Sequence, residues 1–271
     1  MKIYDCFSYW DEDLLLDLRF NILDKYVDYF VVVEGNKTWQ NNSKKLRFNI
    51  ENFPKFKNKI IYVSVEDMPE GNNPYLRENF QRNCIMRGLS GASNEDIVII
   101  SDLDEIPNPD SIYMFKPNMR FAVFKQKHFY YKINFQSQKN PFWYGSKICV
   151  KKYLKSPQWL RELKFKKRPF WRIDKYRLNN ILDGGGWHFC NLKTAEELLY
   201  KYKNLCETND PYIFKEKIDE KYLELEAIKK KIYLGEDIIG RDEIYKKIKL
   251  DASFPRYVLD NIEKYENWIV N

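Results

Sequence analysis

Ile97-Val98-Ile99-Ile100-Ser101-Asp102-Leu103-Asp104-Glu105-Ile106-Pro107 joins a continuous apolar run directly to an acidic turn. An unbroken run of β-branched residues marks a strand covered on both faces, as in a parallel sheet. While the chain stays extended, positions 102 and 104 project to the same side, so two carboxylates converge at the C-terminal edge of the sheet. Open α/β sheets bind their ligands at that edge. Two close carboxylates repel unless a proton or cation lies between them, and a hard divalent cation accepts such oxygen ligands. A metal bridging Asp102 and Asp104 to a diphosphate satisfies both conditions. The competing reading is an acidic strand-to-helix turn, with Asp104 or Asp110 capping the helix after Pro109.

Outward from this stretch, strand-like and helix-like runs alternate. A strand at about 2–7 precedes a helix with Leu14, Leu15, Leu18 and Ile22 at helical spacing, capped by Asp11 or Asp13. Strands follow at 29–34 and 59–65, then a helix from about Pro74 to Leu89 closed by Gly88 or Gly91, then the run at 97–100. The order is βαβαβ, which predicts an α/β fold with a Rossmann-like, mostly parallel sheet flanked by helices. Residues 120–135 partly alternate and 145–154 read as a strand, so the sheet is expected to become mixed. From Thr194 helical patterns take over: Thr194-Ala195-Glu196-Glu197 has the form of a capping box, 219–233 is helical, and Ser253 with Pro255 starts a terminal helix. The expected organisation is an α/β ligand-binding and catalytic domain over 1–193 and a helical C-terminal extension over 194–271 packed on it.

Asp183-Gly184-Gly185-Gly186-Trp187-His188-Phe189 holds three of the ten glycines and one of the two histidines. Glycines admit positive φ and let a ligand approach the backbone, Trp187 offers a stacking face, and His188 is a possible metal ligand. The plainer reading is a loop entering a strand, with Trp187 in the core and His188 hydrogen-bonded.

With 44% hydrophobic and 17% aromatic residues, the chain has the material for a packed interior and is not a disordered polymer. Aromatics serve a core first, and sugar stacking second. A formal charge of +7 suits an anionic partner such as a nucleotide diphosphate or a membrane surface. The basic stretches Lys164-Phe165-Lys166-Lys167-Arg168 and Lys229-Lys230-Lys231 are short and carry no nucleic-acid-binding signature, which argues against nucleic acid and leaves peripheral membrane association through a basic surface open. Met1 leads straight into Ile3-Tyr4-Asp5-Cys6-Phe7 without a leader pattern, and no run approaches about 20 apolar residues, so a soluble cytoplasmic protein is expected. Five widely spaced cysteines without a C-x-x-C pair predict reduced, mostly buried thiols.

Five strings in order carry a likeness: Ile3-Tyr4-Asp5-Cys6-Phe7; Val31-Val32-Val33-Glu34; Glu78-Asn79-Phe80-Gln81-Arg82-Asn83; Ile99 to Pro107 through the acidic turn; and Gly186-Trp187-His188-Phe189. Together they resemble glycosyltransferase family 17, the β-1,4-mannosyl-glycoprotein β-1,4-N-acetylglucosaminyltransferases, which add the bisecting GlcNAc. The resemblance implies a GT-A fold, a UDP-sugar donor (UDP-GlcNAc), a glycan acceptor, Mn²⁺ or Mg²⁺, and inversion at the anomeric carbon. Without the membrane anchor of the eukaryotic members, the chain resembles a compact bacterial or viral relative. Where family members carry a Ser-Phe-Ser-His-like segment, this chain reads Asn204-Leu205-Cys206-Glu207.

On that resemblance, Asp102 and Asp104 would hold the metal with His188 as a further ligand, and Asp102 would also face the donor. Arg82 would contact phosphate or uridine, or else pair with Glu78 at i, i+4. Asp5 and Glu34 would meet uridine or ribose hydroxyls, or cap turns. Asp183 is the first choice of general base, with Glu105 and Glu226 behind it, and Trp143, Tyr144 and Trp187 would wall the acceptor site. Two rival classes remain. A haloacid-dehalogenase-like phosphatase also places Asp-x-Asp after an apolar strand, though usually with Thr or Val where this chain has Ile106; a nucleotide-sugar hydrolase would share the donor site. A non-catalytic carbohydrate-binding protein would keep the fold without turnover.

Overall fold

The computed structural model describes residues 1–164, 180–204 and 223–270. Its first part follows the predicted alternation: β1 (Ile3–Tyr9), α1 (Asp13–Leu23), β2 (Tyr29–Gly35), β3 (Ile60–Val65), α2 (Pro74–Asn83), α3 (Ile85–Gly88) and β4 (Ile97–Asp102). β1 pairs in parallel with both β2 and β4, and β2 with β3. Their side chains alternate between two cores. Phe30, Val32 and Ile99 pack with Leu16, Leu18 and Phe20 of α1, whereas Val31, Val33 and Ile100 pack with Ile85 and Leu89 around α3. This two-sided burial is why these strands read as unbroken apolar runs.

Because β2 and β3 lie to one side of β1 and β4 to the other, the strand order reverses at the β1–β4 pair. Ser8 and Asp102 are register partners at its C-terminal end. A crevice opens at such a switch point.

Beyond β4 the chain runs through β5 (Glu105–Pro107), α4 (Pro109–Met114), β6 (Phe121–Phe124), β7 (Gln126–Tyr130), β8 (Phe135–Ser137), β9 (Phe142–Trp143), β10 (Lys147–Val150), α5 (Pro157–Glu162), β11 (Ile181–Leu182) and β12 (Gly186–Cys190). The described residues then form α6 (Ala195–Asn204), α7 (Leu225–Leu234), β13 (Tyr245–Lys247) and α8 (Arg256–Leu259), followed by a 3₁₀ turn over Ile262–Trp268. The first sheet has the order β11-β6-β10-β4-β1-β2-β3, and β10 is antiparallel to both its neighbours. A second sheet, β13-β8-β7-β12-β5 with β9 alongside β7, stands beside it.

The alternation over 120–135 thus splits between sheets. β6 belongs to the first and β7 to the second, with Lys125 at the step. The segment after Thr194 is not purely helical, since β13 adds an edge to the second sheet. α6 and α7 pack over Tyr130, Tyr131 and Tyr245 of that sheet. The Thr194 capping box forms, with Glu197 N–H donating to Thr194 Oγ1 at 3.3 Å and Thr194 N–H to Glu197 Oε2 at 2.8 Å. The helix after Pro109 is capped by Asn108, not by Asp104 or Asp110. α1 has no side-chain cap, so neither Asp11 nor Asp13 serves as one. Among the described residues no helix is long and apolar enough to cross a membrane.

The glycine run is explained by strand packing. Gly186 has φ +119°, and a Cβ there would lie 2.2 Å from the Ile106 carbonyl oxygen of β5. The close approach is made by the protein's own backbone, which lets β12 pair with β5 immediately after the acidic turn.

Candidate active site

The acidic turn is held from beneath by Arg19. This fully buried side chain from α1 grips Asp5 of β1 through two bonds of 2.7 and 2.6 Å. Its Nη1 also donates to the carbonyls of Asp102, Leu103 and Glu105, each at 3.0 Å, and Nη2 donates to Ser101 Oγ at 2.5 Å. Asp5 is therefore committed to the scaffold and does not reach the crevice, contrary to its expected contact with uridine or ribose. Glu34 is likewise buried at the end of β2. It accepts from the Arg47 and Phe48 N–H groups at 2.8 and 3.0 Å, from the Tyr62 hydroxyl at 3.0 Å and from Lys44, and so anchors the 44–48 loop.

Above the turn lies a cleft of about 320 Å³ walled by the end of β1, the acidic turn, α2, β7, β9, β12 and α6. Asp102, Asp104, Glu105, Arg82, Trp143 and His188 all line it. Their partners separate the two aspartates. Asp102, 40% exposed, binds Arg161 of α5 at 2.5 Å and Arg82 at 3.2 Å. Burial opposes its ionisation, but these guanidinium groups outweigh it and leave the carboxyl far below its usual range. Arg82 also pairs with Glu78 at 2.7 Å, the i, i+4 ion pair that was the alternative to a phosphate or uridine contact.

Glu105 is fully buried and spoken for. Arg161 bonds it at 2.8 and 2.6 Å, Trp143 Nε1 donates to it at 2.5 Å, and Ser146 Oγ reaches it at 3.2 Å. A carboxylate so fully used is a clamp rather than a free base. A Cβ on Gly145 would lie 1.9 Å from Glu105 Oε1 and 2.3 Å from Trp143 Nε1, so only glycine leaves room for that bond.

Asp104 turns instead toward β12. Its carboxylate lies 3.5 Å from His188 Nε2, and one donor atom each of Asp104, His188 and Cys190 falls within 4.8 Å of the others. Among the described residues, His188 Nδ1 is buried without a hydrogen-bond partner. Burial works against charge on the ring, but the Asp104 carboxylate outweighs it and holds the imidazole well above its ordinary pKa. His188 stacks on His128 of β7 at 4.9 Å, and His128 Nδ1 is 3.1 Å from the Asn140 carbonyl.

Four sequence candidates are placed elsewhere. Asp183 is 72% exposed on the surface, paired with Lys125 at 3.1 Å, and Glu226 pairs with Lys229 on the outside of α7; neither lines the cleft. Trp187 is in the core, its Nε1 donating to the Ser253 carbonyl at 2.9 Å, so it is not part of an acceptor wall. Tyr144 lies in an adjoining pocket rather than in the cleft. Residues 205–207, where the family segment departs, are outside the described residues, as are Phe165 to Arg168 of the first basic stretch.

The sequence reading missed Arg19, Arg161, His128, Lys201 and the pair Trp10 and Trp39. Lys201 of α6 lines the cleft with its Nζ 2.8 Å from Asn191 Oδ1; burial opposes its charge, while Cys190, Asp104 and Glu12 hold its pKa above the ordinary value. Trp10 and Trp39 meet at 5.4 Å at the β1 side. His128 was findable as the second of two histidines. An arginine on a short helix after Ser156-Pro157 carries no local signal.

Lys147 of β10, buried behind Glu105, donates to the Arg161 carbonyl. Burial pushes its pKa down to about 7, aided by the Arg161 charge. The folded state therefore sheds this proton above pH 7 while the unfolded chain keeps it to about pH 10.4. The cost of the buried ammonium is full below pH 7 and falls as pH rises. Relative to Lys147→Met, wild-type unfolding free energy should climb between pH 7 and 10 by up to about 1.4 kcal/mol per unit. Parallel curves in denaturant titrations would show that the ammonium is not so placed.

A cleft of this make-up, at the switch point of a mixed α/β fold, is compatible with a glycosyltransferase. Comparison with known proteins makes the class particular: the chain belongs to glycosyltransferase family 17, whose model matches residues 1–269. Over 113 residues it is 34% identical to the beta-1,4-mannosyl-glycoprotein 4-beta-N-acetylglucosaminyltransferases of Homo sapiens and Rattus norvegicus, and 33% identical to that of Mus musculus. The match covers 38% of this chain and 21% of each relative, so it spans about a fifth of their length.

Proposed function

We propose that the chain transfers a sugar, N-acetylglucosamine by its likeness to the named relatives, from a UDP-sugar to a glycan hydroxyl. The reading includes a GT-A-type fold, inversion to a β linkage and a divalent cation. The observation that carries it is the cluster of Asp104, His188 and Cys190 in the cleft. One oxygen, one nitrogen and one sulfur donor within 4.8 Å, with a buried imidazole nitrogen left unpaired, fit a divalent cation. The imidazole and sulfur donors favour a transition ion over Mg²⁺. When bound, such an ion supplies positive charge where the diphosphate departs.

The chain's own residues do the rest. Lys201 and Arg82, which both line the cleft, supply positive charge to the departing diphosphate. Trp10 and Trp39 offer ring faces for the uracil. Asp102 acts by holding Arg82 and Arg161 in place, which narrows the expected metal pair to Asp104 with His188 and adds Cys190. With Asp183 at the surface, the proton of the acceptor hydroxyl passes to a carboxylate of the cleft; Glu12 lines it and is held by the Trp10 and Asp11 N–H groups at 3.3 and 3.1 Å rather than by a guanidinium.

The test is thermal-shift titration with UDP and UDP-GlcNAc, with and without Mn²⁺, followed by product analysis. A bound ligand raises apparent stability. A rise in Tm with UDP-GlcNAc that needs Mn²⁺, and UDP release that needs a glycan, are expected. No shift with either nucleotide would overturn the reading, inorganic phosphate as product would favour the phosphatase, and equal release of free sugar without acceptor would favour a hydrolase.

A further inference from the structure

A second pocket, about 570 Å³, adjoins the cleft and shares His128, Tyr130, Trp143 and Arg241 with it. We propose that this pocket is the subsite for an uncharged pyranose ring of the acceptor, delivered to the cleft across the Trp143–His128 wall. The inference rests on the transferase reading above and specifies where the second substrate lies.

Three observations carry it. First, the pocket shares with the cleft His128 and Tyr130 of β7 and Trp143 of β9, all in the second sheet, and is not lined by Trp10, Trp39 or Arg82. A donor gripped by its diphosphate near Asp104 and Lys201 occupies the first-sheet side with its nucleoside, so the open neighbour is left for the attacking molecule. Second, its walls are aromatic and fixed. Phe142 and Trp143 of β9 are large rings that are 43% and 38% exposed, whereas among the other described rings only Tyr113, Tyr200 and Tyr233 are exposed. Trp143 is held by its bond to Glu105 and by packing against His188 at 4.9 Å and His128 at 5.6 Å. Tyr245 of β13 stacks face to face on Tyr130 at 4.4 Å. Such faces match the C–H face of a pyranose at little entropic cost, because the rings are already immobile.

Third, the polar groups are few and oriented. Glu243 accepts from Ser137 Oγ at 2.7 Å and from Asn140 Nδ2, which fixes its carboxylate at the pocket and leaves lone pairs for ring hydroxyls. Asn140 in turn receives His128 at its carbonyl, so the polar wall and the cleft wall are one hydrogen-bonded unit. An apolar surface with a small number of placed polar groups is how sugar-sized ligands are held and oriented.

The probe is a panel of methyl pyranosides (mannoside, galactoside, glucoside and N-acetylglucosaminide), read by saturation-transfer NMR on the full chain with Mn²⁺ and UDP present. At least one is expected to bind. Phe142→Ala and Glu243→Gln should each weaken it by about threefold to tenfold, the worth of one ring face or one hydrogen bond, while UDP affinity by calorimetry stays unchanged. Neither side chain belongs to the donor site. Because Phe142 is exposed and Glu243→Gln keeps the side-chain shape, at least one variant is expected to fold, as circular dichroism will show. No binding by any member of the panel, binding indifferent to both variants, or loss of UDP affinity in both would overturn the assignment. If UDP does not bind but glycoside binding persists and responds to the variants, the subsite stands and the transferase reading fails.

Discussion

Arg19→Met is expected to lower the stability of the protein by about 3–5 kcal/mol, the cost of breaking a buried ion pair by removing one partner. For a chain of this size that is a fall in Tm on the order of 10 °C. The change strands the Asp5 carboxylate inside β1 and removes the donor from three carbonyls of the acidic turn. A buried pair is not needed for stability as such. The double variant Asp5→Leu with Arg19→Met should therefore recover part of the loss, since it leaves no uncompensated charge. The turn would remain unsupported in that double variant, so metal-dependent nucleotide binding should stay weak even where Tm recovers. Denaturant titration of wild type, the single variant and the double variant checks the first statement, and calorimetry with UDP checks the second. A single variant as stable as wild type would show that Arg19 does not hold the turn.

Asp104→Asn is the complementary case, with a small effect on folding and a large one on activity. Asn keeps the side-chain shape beside His188 but removes the anionic ligand and the charge that raises the imidazole pKa. UDP-GlcNAc turnover is expected to fall at least about a hundredfold, because metal charge at a departing group is worth several kcal/mol. The Mn²⁺-dependent rise in Tm should vanish, and the circular dichroism spectrum should be unchanged. His188→Gln should behave alike. Cys190→Ser should retain part of the Mn²⁺ effect, since an oxygen replaces the sulfur. Full turnover by Asp104→Asn in the presence of a chelator would remove the cation from the mechanism.

The first sheet was legible because its strands are buried on both faces. Runs such as Val31-Val32-Val33 and Val98-Ile99-Ile100 admit no other reading. The second sheet was not. β5 has three residues and β9 and β11 have two each, and at that length no periodicity accumulates. Glu105-Ile106-Pro107 looks like the tail of a turn because its partner, β12, lies far along the chain. Site residues failed for a related reason. A charged residue within an apolar strand, such as Asp5 or Glu34, signals a buried partner as readily as a ligand, and the partner Arg19 stands on a helix whose sequence gives no hint of it. Asp104 and His188, which the structure brings to 3.5 Å of each other in the cleft, each follow a sharp local feature, an apolar strand in one case and a glycine run in the other. Arg161 follows none.

The pairing of β12 between β5 and β7 has a consequence for how the molecule comes into being. The parallel strands β1 to β4 all lie within the first 102 residues, so their pairings need nothing from the later chain. The cleft is not available then, because its histidine and thiol arrive on a strand synthesised long after the acidic turn, and its lysine arrives later still on α6. Binding competence is therefore a late property of the folding chain. A nascent or partly unfolded molecule can hold an intact nucleus while being unable to capture nucleotide, and ligand affinity then reports whether the last pieces of the fold have closed.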